Sequence, residues 1–365
     1  MATEKLVREL DKPLQNLSAQ TKRVKYIDIA KGIGIVLVVM GHNDFALISS
    51  FAFKLIYSFH MPMFFFMSGM FFKPDIPFQL FARRRFNRVL KPFLVTILLI
   101  YFMRVFFSKV SIIVATRNLL KNLYANGHYL NWVQLWFLPH LFAVSFFAYF
   151  FIQLVRQTNL HKWRLVILMF FYTLGVLNIS FFWPFEFTLF GKNFIAYGLP
   201  LSLDIVFVSG LFFILGYELK NKLHPSLFEN IFILLISGIS LVALVWYFSP
   251  TIDFNTRLFE SPLINTGEAL LGIVFVLALS KQLERIAWLS ALFSYIGQAS
   301  LIILIFQVPI QDYSGQKIFA LTNNLPFSYW ISFLLGVLVP IGMRALFILP
   351  NPILREWFSQ PPPQK

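Results

Sequence analysis

The sequence predicts an all-α protein, a polytopic transmembrane bundle of about ten spans with both termini cytoplasmic. Composition, apolar run length and the placement of positive charge each point there. Hydrophobic residues make up 58% of the 365 positions and charged residues only 13%, where a soluble domain carries about 25%. Mean hydropathy is +0.70. Roughly 20 apolar residues are needed to cross ~30 Å of hydrocarbon. Such stretches occur at 27–44, 54–72, 89–108, 134–155, 163–182, 199–218, 228–248, 263–280, 288–309 and 328–348.

The connections fix the expected orientation. With the amino terminus inside, the inner segments hold 22 Lys and Arg and the outer ones seven, while Lys31 and Arg104 fall within spans. This asymmetry follows the positive-inside rule. It also accounts for the net charge of +15 without a nucleic-acid partner. Residues 1–25 are polar throughout and read as a cytoplasmic extension rather than a cleaved signal. Residues 26–350 form the membrane domain, and 351–365, ending in SQPPPQK, a short cytoplasmic tail. The chain has no cysteine, which excludes disulfides, thiolate nucleophiles and cysteine-ligated metals, and no metal site is expected. The one sizeable outer loop is 108–132. No matched pair of interrupted helices points to an inverted-repeat transporter. The aromatic stretch FFWPFEFTLFGKNF (181–194) reads either as an interface belt or as a cap over a cavity.

Ionisable groups inside a bilayer cost several kcal/mol and default to functional or tightly paired roles. In the first span, YIDIAKGIGIVLVVMGH, Asp28 precedes Lys31 by three residues and pairs with it at helical spacing. His42 follows Lys31 by 11 residues, about 16 Å along a helix and on nearly the same face. The blander alternative is that Lys31 snorkels, Asp28 caps the helix and His42 marks its outer end. The second span opens with SFHMPMFFFMSGMFFK, placing His60 at its outer entry and Ser68 and Gly69 where helices pack closely. In FARRRFNRVLKPF, Arg85 and Arg88 stand one turn apart, suited either to anchoring at the inner surface or to holding phosphate. Arg104, His140, Asp204 and Glu268 also fall within or near spans. Glu268 is expected to be buried, orienting His42 or pairing with an arginine.

Five segments in order resemble the acyltransferase-3 family of integral-membrane O-acyltransferases. They are YIDIAKGIGIVLVVMGH, with lysine at the family's commoner arginine position; FHMPMFFFMSG; the Arg85 and Arg88 pair; LWFLPHLF (135–142); and IGQASLIILIFQVPI (296–310). The last departs from the family pattern, because Gln307 stands where histidine is usual and cannot titrate. The resemblance implies transfer of an acyl group, usually acetyl, from cytoplasmic acyl-CoA to a hydroxyl of a cell-surface glycan or polyprenyl-linked sugar. Acyl-CoA is then a co-substrate and no cofactor is permanently bound.

On that footing His42 is the expected general base or transient acyl carrier. Asp28 and Lys31 organise the inner end of the pocket, and Arg85, Arg88 and Lys91 hold CoA phosphates. His60, Ser68, Trp136, Glu268 and Gln307 are expected around the substrate. The protein would sit in the plasma (inner) membrane, in contact with lipid, acyl-CoA, the glycan acceptor and, in one variant of the scheme, a separate extracytoplasmic acyl-accepting protein. The rival reading is a transporter or flippase for a glycan or small solute, using the same intramembrane charges.

Overall fold

The computed structural model describes residues 24–42, 45–108, 110–158, 160, 162–189, 191–248 and 252–360. The expected extension over 1–25 lies outside them apart from Val24 and Lys25, as do residues 361–365 of the tail. The helices are α1 (Lys25–Gly41), α2 (Phe45–Ile48), α3 (Ser50–Tyr57), α4 (His60–Met70), α5 (Phe78–Arg85), α6 (Lys91–Phe106), α7 (Ile112–Tyr124) and α8 (Phe137–Gln157). They continue with α9 (Arg164–Phe182), α10 (Val206–Leu219), α11 (Ile231–Phe248), α12 (Pro262–Glu284), α13 (Ala287–Gln298), α14 (Ser300–Thr322), α15 (Leu325–Met343) and α16 (Pro352–Trp357). A π-helical turn, Phe86–Leu90, joins α5 to α6. Two antiparallel hairpins occupy connections: β1 (Phe185–Leu189) with β2 (Lys192–Ala196), and β3 (Ile252–Asp253) with β4 (Leu258–Phe259).

Among the described residues seven helices are long and apolar enough to cross a membrane, or eight if α13 and α14 count as one bent span. The difference from ten expected spans is local. The first, α1, is only 17 residues and ends at Gly41. The second is broken where Phe59 leaves helical geometry (φ −140°, ψ −18°), giving α3 and α4. The stretch expected as one helix over 288–309 turns by 76° at Ala299, and α14 then runs on to Thr322. The outer loop 108–132 contains α7, and the aromatic stretch 181–194 includes a hairpin whose Phe185 and Phe187 face outward, 49% and 38% exposed.

Lipid tails are as apolar as the side chains they meet, so helices in a bilayer associate through close packing at small residues. Two crossings show this. A Cβ on Gly32 would lie 2.1 Å from the Phe293 carbonyl oxygen, and one on Gly297 2.0 Å from that of Asp28, so α1 and α13 touch backbone to backbone. In the same way a Cβ on Gly69 would lie 1.9 Å from the Phe213 oxygen and one on Gly216 2.0 Å from that of Phe66, locking α4 to α10. Helix α1 is the axis of the bundle, packed by α3, α4, α12, α13, α14 and α15.

Side-chain contacts define two ends. At the basic end Lys281 lies over the Tyr26 ring, Lys220 donates to the Phe72 carbonyl, Arg156 pairs with Asp75, and Lys91 pairs with Glu356. At the opposite end Arg257, an outer-loop cation in the sequence count, is buried. It donates Nε and a terminal nitrogen to the two oxygens of Asp204 at 2.8 and 3.0 Å. Asp204 also accepts from the Leu199 amide at 2.7 Å, so the pair ties the β3–β4 hairpin to the entry of α10.

Overpacking a tight contact costs about 1–3 kcal/mol. Gly32→Ala and Gly216→Ala are therefore expected to lower the melting temperature of the detergent-purified protein by several degrees. Gly267→Ala, whose Cβ would meet nothing within 4 Å, should not. Equal melting of all three variants would refute the backbone-contact account.

Candidate active site

The last carbonyls of a helix lack intrahelical donors. Those of α1 are supplied by side chains from three other helices. Gln311 of α14 donates Nε2 to the Val39 oxygen at 3.0 Å, the Tyr329 hydroxyl of α15 donates to Met40 at 2.7 Å, and the Tyr57 hydroxyl of α3 donates to Gly41 at 3.4 Å. Gly41 leaves room for this, since a Cβ there would stand 3.1 Å from the Tyr57 ring. His42 follows at once in extended geometry (φ −88°, ψ 174°) and half-buried. Its extended ψ turns the chain out of α1 at this capped terminus, while its side chain leaves from the end of the helix that carries Lys31.

His60 stands within electrostatic range of His42 and against the Tyr57 ring at 4.7 Å. Its Nδ1 is 2.9 Å from the Ile56 oxygen. A carbonyl only accepts, so Nδ1 carries the proton and Nε2 the lone pair. Across from this junction Gly272 of α12 would place a Cβ 2.2 Å from Phe59 Cγ. Glu268 lies one turn earlier on the same face and is fully buried. Neither of its carboxylate oxygens has a hydrogen-bond partner among the described residues, and Asn265 Nδ2 stands beside it without completing one. Glu268 therefore makes neither of the contacts expected for it, with His42 or with an arginine.

Pro309 has no N–H, so it leaves the Ile305 carbonyl of α14 without its helical donor. Gln134 supplies one, donating Nε2 to Ile305 at 2.9 Å. Gln307 lies between these positions and Gln311, fully buried, with no partner for its amide oxygen or nitrogen among the described residues. Trp136 is buried and stacks on His140 at 5.5 Å. The His140 ring is fully used: Nδ1 donates to Leu201 at 3.2 Å, leaving Nε2 to accept from the Ser209 hydroxyl at 2.8 Å. Ser68 is half-buried on α4, one residue before the glycine contact with α10.

At the basic end Lys31 is 3.5 Å from Asp28, as the spacing predicts, and lies 4.7 Å over the Phe71 ring. The Arg85 guanidinium lies 5.3 Å over the next ring in the chain, the buried Phe72, and 5.9 Å over Phe213 of α10. Arg88, in the π turn that follows, is exposed and within electrostatic range of Arg85. Lys91 is 3.6 Å from Glu356 of α16. Among the described residues no three His, Asp or Glu side chains gather into a group able to hold a metal.

The residues that sequence reasoning missed are Tyr57, Gln134, Gln311 and Tyr329. Only Gln311 left a signal, falling four residues after Gln307 and so on the same helical face. A neutral hydrogen bond contributes about 0.5–1.5 kcal/mol net. Tyr329→Phe should therefore cost about 1 kcal/mol of stability and also change the reactivity of His42 toward diethyl pyrocarbonate, read by peptide mass spectrometry. Unchanged His42 reactivity in Tyr329→Phe and Gln311→Leu alike would show that the caps do not position it.

Searches of curated proteins and of solved structures found no match. A family model described as an acyltransferase domain matches residues 24–344, the span running from the start of α1 to the end of α15. The chain carrying this capped α1 terminus is a member of the acyltransferase-3 family, a membrane acyltransferase.

Proposed function

We propose that the protein moves an acyl group, most simply acetyl, from cytoplasmic acyl-CoA to a hydroxyl of a cell-surface glycan or its polyprenyl-linked precursor. It would do so in the plasma membrane with both termini cytoplasmic, in keeping with the threefold excess of Lys and Arg on one set of connections. The observation that carries this reading is the two-ended α1. Lys31 lies over Phe71 at the basic end, where Arg85 lies over the following ring, Phe72, and His42 stands 11 residues, about 16 Å, further along α1 at the capped terminus.

In this scheme Lys31 and Arg85 hold CoA phosphates, with Arg88 and Lys91 adding charge around them. Asp28 steadies Lys31. The pantetheine arm runs along α1 and presents the thioester to His42. Neutral His42 takes the proton of the acceptor hydroxyl as its oxygen attacks the thioester carbonyl; the C–O bond forms, the C–S bond breaks, and the departing CoA thiolate takes up that proton from the imidazolium, returning His42 to its neutral form. A sugar hydroxyl is a poor nucleophile at neutral pH, and imidazole is the side chain whose basicity suits that step. His60, with its lone pair on Nε2, stands as a second imidazole nearby, while Glu268 and Gln307 offer buried polar atoms to the acceptor. Trp136 contributes through the stacked His140 wall, and Ser68 through the tight α4–α10 crossing.

The test supplies radiolabelled acetyl-CoA to membranes holding intact protein or His42→Ala at matched abundance. Label should enter envelope glycan with the intact protein and fall by about 10²–10⁴-fold in the variant, the range of general-base catalysis. Equal labelling would remove His42 from the chemistry. No labelling from any acyl-CoA would favour the transport reading instead.

A further inference from the structure

Two adjoining clefts lie on the bundle away from His42 and use none of the residues assigned above. One, of about 220 Å³, opens at the basic end where α8 stops, α9 starts and α10 stops; Arg156, Arg164, Tyr217, Glu218 and Lys220 line it. The other is a groove of about 920 Å³ along α8, walled by Phe147, Phe150, Leu154, Phe171 and Phe207. Arg156 and Phe151 belong to both, so the charged cleft and the apolar groove are continuous. From Arg156 back to Phe147 is nine residues of α8, about 13 Å, close to the depth of one hydrocarbon leaflet, ~15 Å. Phe150 and Leu154 remain 56% and 47% exposed along it.

The charges are arranged for an anion. Arg156 pairs with Asp75 and donates to the Tyr217 hydroxyl at 3.0 Å, and Arg164 is 3.1 Å from Glu218. Lys220 donates to the Phe72 carbonyl at 3.1 Å and lies 4.3 Å over the Tyr217 ring. With Lys73 also in electrostatic range of Lys220, four cations face two carboxylates, an excess of positive charge. Burial holds the Lys220 ammonium below its ordinary value; Asp75 partly offsets this, while Lys73 and Arg156 add to it. An arriving anion relieves that strain on the charged form.

We infer that the cleft and groove together bind an anionic phospholipid, its phosphodiester at Arg156, Arg164 and Lys220 and an acyl chain along the phenylalanine groove. Basic pockets between helices at a membrane face take such head groups. A zwitterionic lipid would bring an added ammonium back against these cations, so the site discriminates by head-group charge.

The experiment adds phosphatidylglycerol, phosphatidylcholine or glycerol 3-phosphate to the detergent-purified full chain and counts bound molecules by native mass spectrometry, with coenzyme A as competitor. Phosphatidylglycerol should be retained over phosphatidylcholine, resist displacement by glycerol 3-phosphate and by coenzyme A, and bind roughly fivefold more weakly to Lys220→Gln, the loss expected for one cation. On the unaltered protein, phosphatidylglycerol with a photoreactive acyl chain should label the 147–157 segment. Equal retention of the two lipids, displacement by coenzyme A, or labelling outside the groove would overturn the assignment. The first would leave no charge recognition and the second would make the cleft a coenzyme site.

Discussion

A backbone carbonyl without a donor costs several kcal/mol in hydrocarbon, and the interior of this bundle is organised around supplying donors to such carbonyls. Helix α1 stops at Gly41 and its final oxygens turn to Gln311, Tyr329 and Tyr57. Pro309 frees the Ile305 oxygen, and Gln134 reaches it. Both needs pull polar side chains from separate parts of the chain into an otherwise apolar core. The polar residues that remain there, Glu268 and Gln307 above all, therefore sit in a setting already built from hydrogen-bonding groups. The site is a by-product of how the helices end, and His42 is its natural focus because it is the first residue past the capped terminus.

That terminus holds its position only if the helices around it do. The glycine contacts between α1 and α13 and between α4 and α10 draw the backbones together where lipid provides no drive for association. Phe71 and Phe72 follow at the end of α4, with Lys31 over the first ring and Arg85 over the second. The same α4 begins with His60 near His42 at the other end. One helix pair, α1 and α4, thus runs from Lys31 over Phe71 at one end to His42 and His60, within electrostatic range of each other, at the other.

Much of the fold was legible from apolar run length, since lipid imposes that constraint directly on composition. The family was legible too, because YIDIAKGIGIVLVVMGH and its companion motifs survive as contiguous strings. The Asp28–Lys31 pair followed from helical spacing alone. What failed were inferences that assumed unbroken helices. Phe59 splits the second span and Ala299 bends the ninth; each break depends on neighbours that no local pattern reveals. Tyr57 and Tyr329 gave no signal in the sequence because their partners, the carbonyls of α1, lie outside their own helices. Arg257 was counted as a loop cation for the same reason, its carboxylate lying 53 residues away.

The claim on which the account turns is that the capped end of α1 presents His42 as a base, and chemical rescue tests it most directly. Acyl transfer by His42→Gly would be followed with and without added imidazole, in membranes at matched abundance. The account predicts that the variant is nearly inactive and that imidazole restores part of the rate in proportion to its unprotonated form. Full activity of His42→Gly without imidazole would contradict it.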